Sequence, residues 1–192
     1  MKLIKSIVWP FVRDYWIGRT FIHRLGQSTF SRASEIGLPG EIELRALCSS
    51  DDSSIASQPD SELAKRYRPA QPGVRCFGAW IGENLIALCT FTFGQEYLES
   101  GGFYDLGADQ AELADIFTTS KGRGKGVATA LIKYSTVAME ELGYRTLYAK
   151  VWHSNTSSTR TFNKAGWTQK CFFIRLYPQK LKSYLHFEWR LQ

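Results

Sequence analysis

The chain has 192 residues, of which 44% are hydrophobic and 22% charged, and its formal net charge is +6. This size and composition are typical of one globular domain with its own core. Charged residues interrupt the apolar stretches, so no membrane-spanning helix is predicted, and the N-terminus lacks the cleavage pattern of a signal peptide. We therefore expect a cytoplasmic protein.

The cysteines argue against two classes of site. They lie far apart and form no Cys-x-x-Cys pair, so the sequence predicts neither a zinc site nor a disulfide framework, and we identify no metal ligands. We interpret them as buried thiols in strands. They are Cys48, Cys76, Cys89 and Cys171.

Residues 1–40 are predicted to form a basic, aromatic N-terminal extension. A helix is expected from about Pro10, because proline is tolerated in a first helical turn, and residues 27–40 are typical of a linker. Residues 1–24 combine tryptophans with basic residues, which fits an anchor in weak contact with an anionic membrane surface. The competing interpretation is a helix packed on the domain or across a homodimer. We favour the packed helix over the membrane anchor because apolar residues occur nearly all round the segment.

Residues 41–192 are predicted to form the main domain, which begins with strands and short helices. Two runs rich in β-forming residues flank the turn at residues 81–84 and predict a hairpin. The connection over residues 95–109 carries Phe103 and Tyr104, which we interpret as packing residues. The predicted elements are a strand at 41–47, short helices within 54–67, and strands at 74–80 and 85–93.

The central stretch is a strand, a glycine-rich turn and a helix. Residues 111–118 are typical of a strand, and residues 127–142 carry apolar side chains at helical spacing. Between them, the glycines at 122, 124 and 126 leave backbone N–H groups accessible at the positive end of the helix dipole. Lys121, Arg123 and Lys125 add positive charge. The turn therefore predicts an anion site, most often one for phosphate, and the competing interpretation is a basic surface turn.

Two nucleotide-binding motifs do not fit this turn. A Walker loop needs Ser or Thr where Val127 stands, and a dinucleotide fold needs a different glycine spacing. The net positive charge suits a polyphosphate locally, so we expect no nucleic acid partner. Downstream, residues 147–155 indicate a strand ending in Asn155, and residues 168–177 and 183–191 indicate the last two strands.

These segments together resemble the GNAT (Gcn5-related N-acetyltransferase) superfamily. The family signature Gln/Arg-x-x-Gly-x-Gly/Ala is met by Arg123-Gly-Lys-Gly126-Val-Ala128, and the strand ending in Asn155 and the Gly166-Trp167 turn follow in the family's order. The resemblance implies an α/β fold with a mixed, mostly antiparallel sheet flanked by helices. Counted from residue 41, its fourth and fifth strands splay around the cofactor.

The resemblance implies acetyl-CoA as the acyl-donor substrate and a small amine as the acceptor. Backbone groups at the end of the fourth strand would pair with the pantetheine arm, and the turn would hold the pyrophosphate. Arg160 and Lys164 would face the adenosine phosphate. The implied cofactor-binding residues are Ile116, Phe117, Thr118, Arg123, Gly124, Lys125, Gly126, Val127, Ala128, Asn155, Ser158 and Phe162.

Acetyl transfer to an amine needs a base, because the attacking nitrogen must be neutral. Family members often use a glutamate on the fourth strand, so Glu112 is our first candidate and Asp115 our second. Strand alternation predicts that the two lie on opposite faces. Many members also have a tyrosine that protonates the leaving thiolate, but the matching residue here is Phe162. Tyr134, Tyr148 and His153 are substitute acids; we favour a reaction with no acid, driven by proximity.

We thus predict an acyl-CoA-dependent N-acyltransferase, most simply an acetyltransferase. An amino sugar or sugar nucleotide is the preferred acceptor, because a basic protein suits an anionic substrate. Two alternatives stay open: a protein N-acetyltransferase and a catalytically silent acyl-CoA-binding module.

Overall fold

The computed structural model describes residues 12–26, 38, 41–178 and 184–190, and every structural statement below concerns these residues. The strands are β1 Val12–Arg24, β2 Ile42–Ala46, β3 Val74–Ile81, β4 Asn84–Thr92, β5 Gln110–Thr118, β6 Thr146–Trp152, β7 Thr168–Pro178 and β8 Leu185–Arg190. The helices are α1 Asp52–Ala56, α2 Ser61–Arg66, α3 Gly94–Glu99, α4 Val127–Glu141 and α5 Thr156–Lys164. Within these ranges every helix is too short or too polar to reach across a lipid bilayer.

The strands form one sheet in the order β2-β3-β4-β5-β6-β1-β7-β8. Among the described strands, β5 and β6 are the parallel neighbours, and the other neighbours are antiparallel. The predicted fold class, a mixed and mostly antiparallel sheet flanked by helices, is confirmed. The predicted hairpin is formed by β3 and β4, and the predicted last strands are β7 and β8.

The first strand overturns the predicted N-terminal helix. Residues 12–24 form β1, which pairs with β6 on one side and β7 on the other. Phe21 is fully buried and Ile22 nearly so. An inner strand covered on both faces buries successive side chains and shows no alternation, which explains the apolar residues all round the segment. The expectation that this segment is buried in protein is correct, but its helical form is wrong. The predicted linker, residue 38 aside, and residues 1–11 lie outside the described residues.

Helices cover the two faces of the sheet and create two apolar clusters. On one face, α4 and α5 pack against the central strands through Leu131, Ile132 and Phe162. On the other face, α1 and α2 bring Ile55 and Leu63 against the β3–β4 hairpin. The sheet therefore separates a face that carries the long helices from a face covered by short helices and connections.

The cysteines follow the prediction with one exception. Cys76, Cys89 and Cys171 are buried thiols in β3, β4 and β7. Cys48 is exposed, because it lies in the turn after β2, where its backbone N–H donates to Asp51 Oδ2.

Candidate functional site

A cleft opens where β5 and β6 separate. The two strands pair from Gln110↔Thr146 to Leu113↔Ala149, and β5 then continues beside β4 alone. The edge of β5 from residue 114 to residue 118 is therefore free to bond a ligand along the cleft. The predicted splay of the two strands is present.

The glycine-rich turn forms one wall of this cleft. Gly124 and Gly126 both have φ of 77°, a conformation that other residues rarely adopt, and Gly126 is the N-cap of α4. Within the described chain, the backbone N–H groups from Gly124 to Thr129 donate to no backbone acceptor. The Arg123 Nε donates to the Thr118 carbonyl at 3.1 Å, which ties the turn to the end of β5. A row of free donors at a helix N-terminus is suited to phosphate oxygens.

The cleft has a volume of about 560 Å³ and brings together most of the predicted cofactor residues. Arg160 and Lys164 of α5 also line it, opposite the turn. Lys125 does not line it. Asn155 instead caps α5, where its side chain accepts a hydrogen bond from the Ser158 N–H at 3.0 Å. The predicted residues that line the cleft are Ile116, Phe117, Thr118, Arg123, Gly124, Gly126, Val127, Ala128, Ser158 and Phe162.

A smaller pocket of about 200 Å³ lies on the other side of the splay. It shares Ile116, Ser158 and Phe162 with the larger cleft, so the two spaces adjoin. Its remaining lining comes from β5, β6 and, unexpectedly, β1. The further lining residues are Trp16, Leu113, Ala114, Asp115, Lys150, Val151, Trp152 and Asn155.

A β-bulge at Ala114 corrects the predicted orientation of the two carboxylates. Leu113 pairs with Phe91 and Asp115 with Thr90, so β5 has one extra residue between them. Glu112 lies opposite Thr92, which shares a face with Thr90. Because a bulge resets the alternation, Glu112 and Asp115 lie on the same face, and the expectation of opposite faces is wrong.

Glu112 is a buried carboxylate paired with a lysine. It is 2% exposed, and its Oε1 lies 2.9 Å from Lys150 Nζ. Its Oε2 is buried and finds no hydrogen-bond partner among the described residues. Burial raises the pKa of Glu112 above its ordinary value, although the charge of Lys150 acts in the opposite direction.

Asp115 is the more accessible carboxylate. Arg66 of α2 donates from Nη1 to both of its oxygens at 2.9 Å, and the Asp115 side chain is 33% exposed. Asp115 lines the small pocket directly, whereas Glu112 lies behind Lys150. Asp115 therefore lies at the pocket surface, and Glu112 lies beneath it.

None of the candidate general acids reaches the junction of the two spaces. Phe162 is 2% exposed and stacks on Phe21 with ring centroids 5.2 Å apart. Tyr134 of α4 packs against Phe77 of β3, and Tyr148 stacks on Tyr104. His153 lines neither space. The reaction without a side-chain acid therefore stays a prediction.

Sequence reasoning missed the residues that surround Glu112. Lys150 follows Tyr148 and precedes Trp152 in the alternation of β6, so the pattern could have placed it on the carboxylate face. Arg175 on β7 could not be found this way. Its guanidinium lies 3.6 Å from the centre of the Phe103 ring, and its Nη2 donates to the Phe103 carbonyl at 3.1 Å. These contacts hold the 100–109 connection over Lys150.

Comparisons with known proteins agree with this architecture. The family model for the acetyltransferase (GNAT) family matches residues 43–167. None of the curated proteins searched is a significant match. Among solved structures, the GNAT domain of PAT from S. lividans has 21% identity and a TM-score of 0.53, covering 78% of this chain and 90% of that one.

Two further structures are similar in fold. A GNAT-family acetyltransferase from Novosphingobium aromaticivorans has 18% identity and a TM-score of 0.57, covering 86% of this chain and 65% of its own length. A GCN5-related N-acetyltransferase-like protein from Streptococcus suis has 13% identity and a TM-score of 0.59, covering 93% of this chain and 67% of its own length. At such low identity the likeness concerns the fold.

Proposed function

The chain belongs to the acetyltransferase (GNAT) family, whose model covers well over half of it, and on this basis we propose that it transfers an acetyl group from acetyl-CoA to a primary amine of a small molecule. One observation carries the proposal. A cleft with a phosphate-binding turn adjoins a pocket with a carboxylate, and the two meet where β5 and β6 separate. A donor in the first space and an amine in the second would meet at that junction.

The larger cleft fits the coenzyme A part of the donor. The free N–H groups from Gly124 to Thr129 would bind the pyrophosphate, and Arg123, Arg160 and Lys164 would supply positive charge around it. The free edge of β5 would pair with the amides of the pantetheine arm, as a strand pairs with an added strand. This arrangement would direct the thioester toward Ile116 and the smaller pocket.

Within the smaller pocket, a carboxylate would accept the proton of the incoming ammonium. Asp115 lies on the pocket surface, and Glu112 lies one layer deeper behind Lys150. We infer that Asp115 takes the proton by direct contact and that Glu112 does so only through Lys150 or water. The amine nitrogen then attacks the thioester carbon, and the carbon–sulfur bond breaks. The nitrogen loses its second proton to solvent as the amide forms, and the leaving thiolate takes up a proton from solvent. Placement of the two reactants would supply much of the rate.

The acceptor that we propose is an amino sugar or sugar nucleotide. Trp16 and Trp152 line the pocket with ring centroids 5.1 Å apart and ring planes nearly perpendicular, so the face of one ring would offer an apolar surface for a ring-shaped substrate. A protein amine is the rival acceptor. The free cysteines suit a reducing compartment, so we propose that the reaction takes place in the cytoplasm.

The test starts with the donor. We expect acetyl-CoA to bind in a calorimetric titration. We expect Gly126→Glu to abolish that binding while circular dichroism stays unchanged, because it places negative charge among the phosphate donors and a side chain at a φ of 77°. Gly126→Ala makes only the second change and should retain more affinity. Unchanged affinity in Gly126→Glu would show that the turn does not hold the pyrophosphate.

Turnover is then measured by thiol release against a panel of amines. Release with an amino sugar supports the proposal, and release only with a peptide amine supports the rival acceptor. Binding without release from any amine would indicate a silent acyl-CoA-binding module. For the base, we expect Asp115→Asn to lower the rate of thiol release more than Glu112→Gln does, with acetyl-CoA affinity unchanged in both. The reverse order would assign the base to Glu112.

A further inference from the structure

The strand β8 forms an exposed edge of the sheet. Of the described strands, β7 alone pairs with it, and all six of its residues are exposed. Such an edge presents unpaired N–H and C=O groups and is a template for another strand. Natural sheets usually blunt or cover an edge of this kind, so its partner needs to be identified.

The side chains of β8 separate into an apolar face and a charged face. Leu185, Phe187 and Trp189 are 45%, 47% and 51% exposed, and they continue an apolar row on β7. His186 and Glu188 point to the opposite face. Large apolar side chains in a contiguous row at a sheet edge are typical of a protein–protein contact.

The other edge of the sheet is different. In β2, Ile42 and Leu44 pack against the main core cluster. Arg45 donates from Nη2 to Asp51 Oδ1 at 2.8 Å. In β8, Glu188 lies 3.7 Å from both His186 Nε2 and Arg190 Nε, so charged side chains at both edges have contacts within the chain. The apolar side chains of β2 are thus covered, whereas those of β8 are exposed among the described residues.

We propose that β8 pairs with β8 of a second copy of this chain, in an antiparallel register with Phe187 on the two-fold axis. Two identical antiparallel strands can pair symmetrically about one residue or between two residues. An axis between two residues would place apolar side chains opposite charged ones. An axis at Glu188 would place two glutamates opposite each other and His186 opposite Arg190, which is repulsive or neutral. An axis at any other residue of the six-residue strand apart from Phe187 leaves at least half of β8 without a partner strand.

With the axis at Phe187, apolar side chains face apolar ones and charged or polar side chains face suitable partners. This axis places Phe187 against its own copy and Leu185 against the partner's Trp189, so the apolar face closes on itself. On the other face, it places His186 against the partner's Glu188 twice, once on each side of the axis, and Tyr184 against the partner's Arg190. Charge complementarity and apolar matching therefore select the same register. The result is one continuous sheet through both copies.

The contact is small, because its centre is one pair of six-residue strands. An interface of that size is typical of a weak dimer, with a dissociation constant on the order of micromolar. The experiment is sedimentation velocity of the full chain at concentrations from about 1 to about 100 µM. We expect a reversible shift from monomer to dimer across this range.

Complementary variants test the register. His186→Glu places two glutamates opposite each other on both sides of the axis, and Glu188→Lys removes the acceptor of His186. We expect each variant alone to be monomeric at the concentration where the natural chain is mostly dimeric. In an equimolar mixture, the new glutamate of one copy meets the new lysine of the other, so we expect the mixed dimer to form. Contacts of these residues within one chain are not repaired by mixing, so recovery reports contact between copies.

Glu43→Lys is the matched control, because it makes the same charge change on the exposed face of β2 at the other edge. It should dimerise like the natural chain. Circular dichroism and thermal unfolding check that each variant is folded. A natural chain that stays monomeric throughout the range, or a mixture that stays monomeric while the natural chain dimerises, would overturn the proposal.

Discussion

The Glu112–Lys150 pair provides the strongest test of the electrostatics beneath the proposed acceptor pocket. Lys150→Met removes the cation and keeps most of the side-chain volume. Glu112 is left 2% exposed without its partner, and removal of one member of a buried ion pair costs about 3–5 kcal/mol of unfolding free energy. For a chain of this length that loss lowers the melting temperature by about 6–20 °C.

The loss of unfolding free energy in Lys150→Met should depend on pH in a defined direction. Burial raises the pKa of Glu112, and Lys150 is the main group that lowers it, so the substitution raises this pKa further. An acid whose pKa is higher in the folded state binds more protons when folded. Its stabilising contribution is therefore present below the unfolded pKa and is lost as pH rises through the folded pKa. We therefore compare the variant with the natural chain at about pH 5 and about pH 8, and we expect the smaller deficit in unfolding free energy at the lower pH.

Denaturant titration at both pH values measures this difference. The double variant Glu112→Gln with Lys150→Met should regain much of the loss at pH 8, because an amide carries no charge to bury. Arg66→Met is the matched control, because the Arg66–Asp115 pair is far more exposed and should cost less than about 1 kcal/mol. A double variant as unstable as Lys150→Met, or a loss that does not change with pH, would refute this account of Glu112.

Two further predictions concern the core behind the splay. Phe162→Tyr restores the hydroxyl that many family members have, but the ring is buried against Phe21, so we expect a loss of about 1–3 kcal/mol of stability and no gain in thiol release. A faster rate would show that the hydroxyl reaches the thiolate. Phe21→Ala should cost about 3–5 kcal/mol in denaturant titration, because β1 is an inner strand and this side chain is fully buried. A cost below about 1 kcal/mol would indicate that β1 is peripheral.

The glycine-rich turn and its flanking elements could be predicted because their signals are local. Glycine spacing, the helical repeat after Gly126 and the strand before it depend on neighbouring residues alone, and the predicted turn lines the cleft as expected. The hairpin of β3 and β4 is local in the same sense. In these regions backbone conformation follows from nearby side chains.

The features that the sequence concealed depend on distant residues. The apolar spread of residues 12–24 fits a helix and an inner strand equally well, and the partners β6 and β7 decide between them. The bulge at Ala114 inverts the orientation of Asp115 and leaves no local signature, because it is defined by the register with β4. Arg175 reaches Phe103 across 72 positions of sequence.

The place of β1 in the sheet has a consequence for biosynthesis. β1 is translated before β6 and β7, yet it lies between them, and Arg19 bonds to His153 across 134 positions. At typical translation speeds of ~5–20 residues per second, the 134 positions from Arg19 to His153 take roughly 7–27 s to be made, and β7 follows later. Pairings of such sequence separation also close slowly. During this interval the apolar side chains of β1 lack their native partners. The rate of synthesis and the supply of chaperones therefore affect how much of the protein reaches the native state.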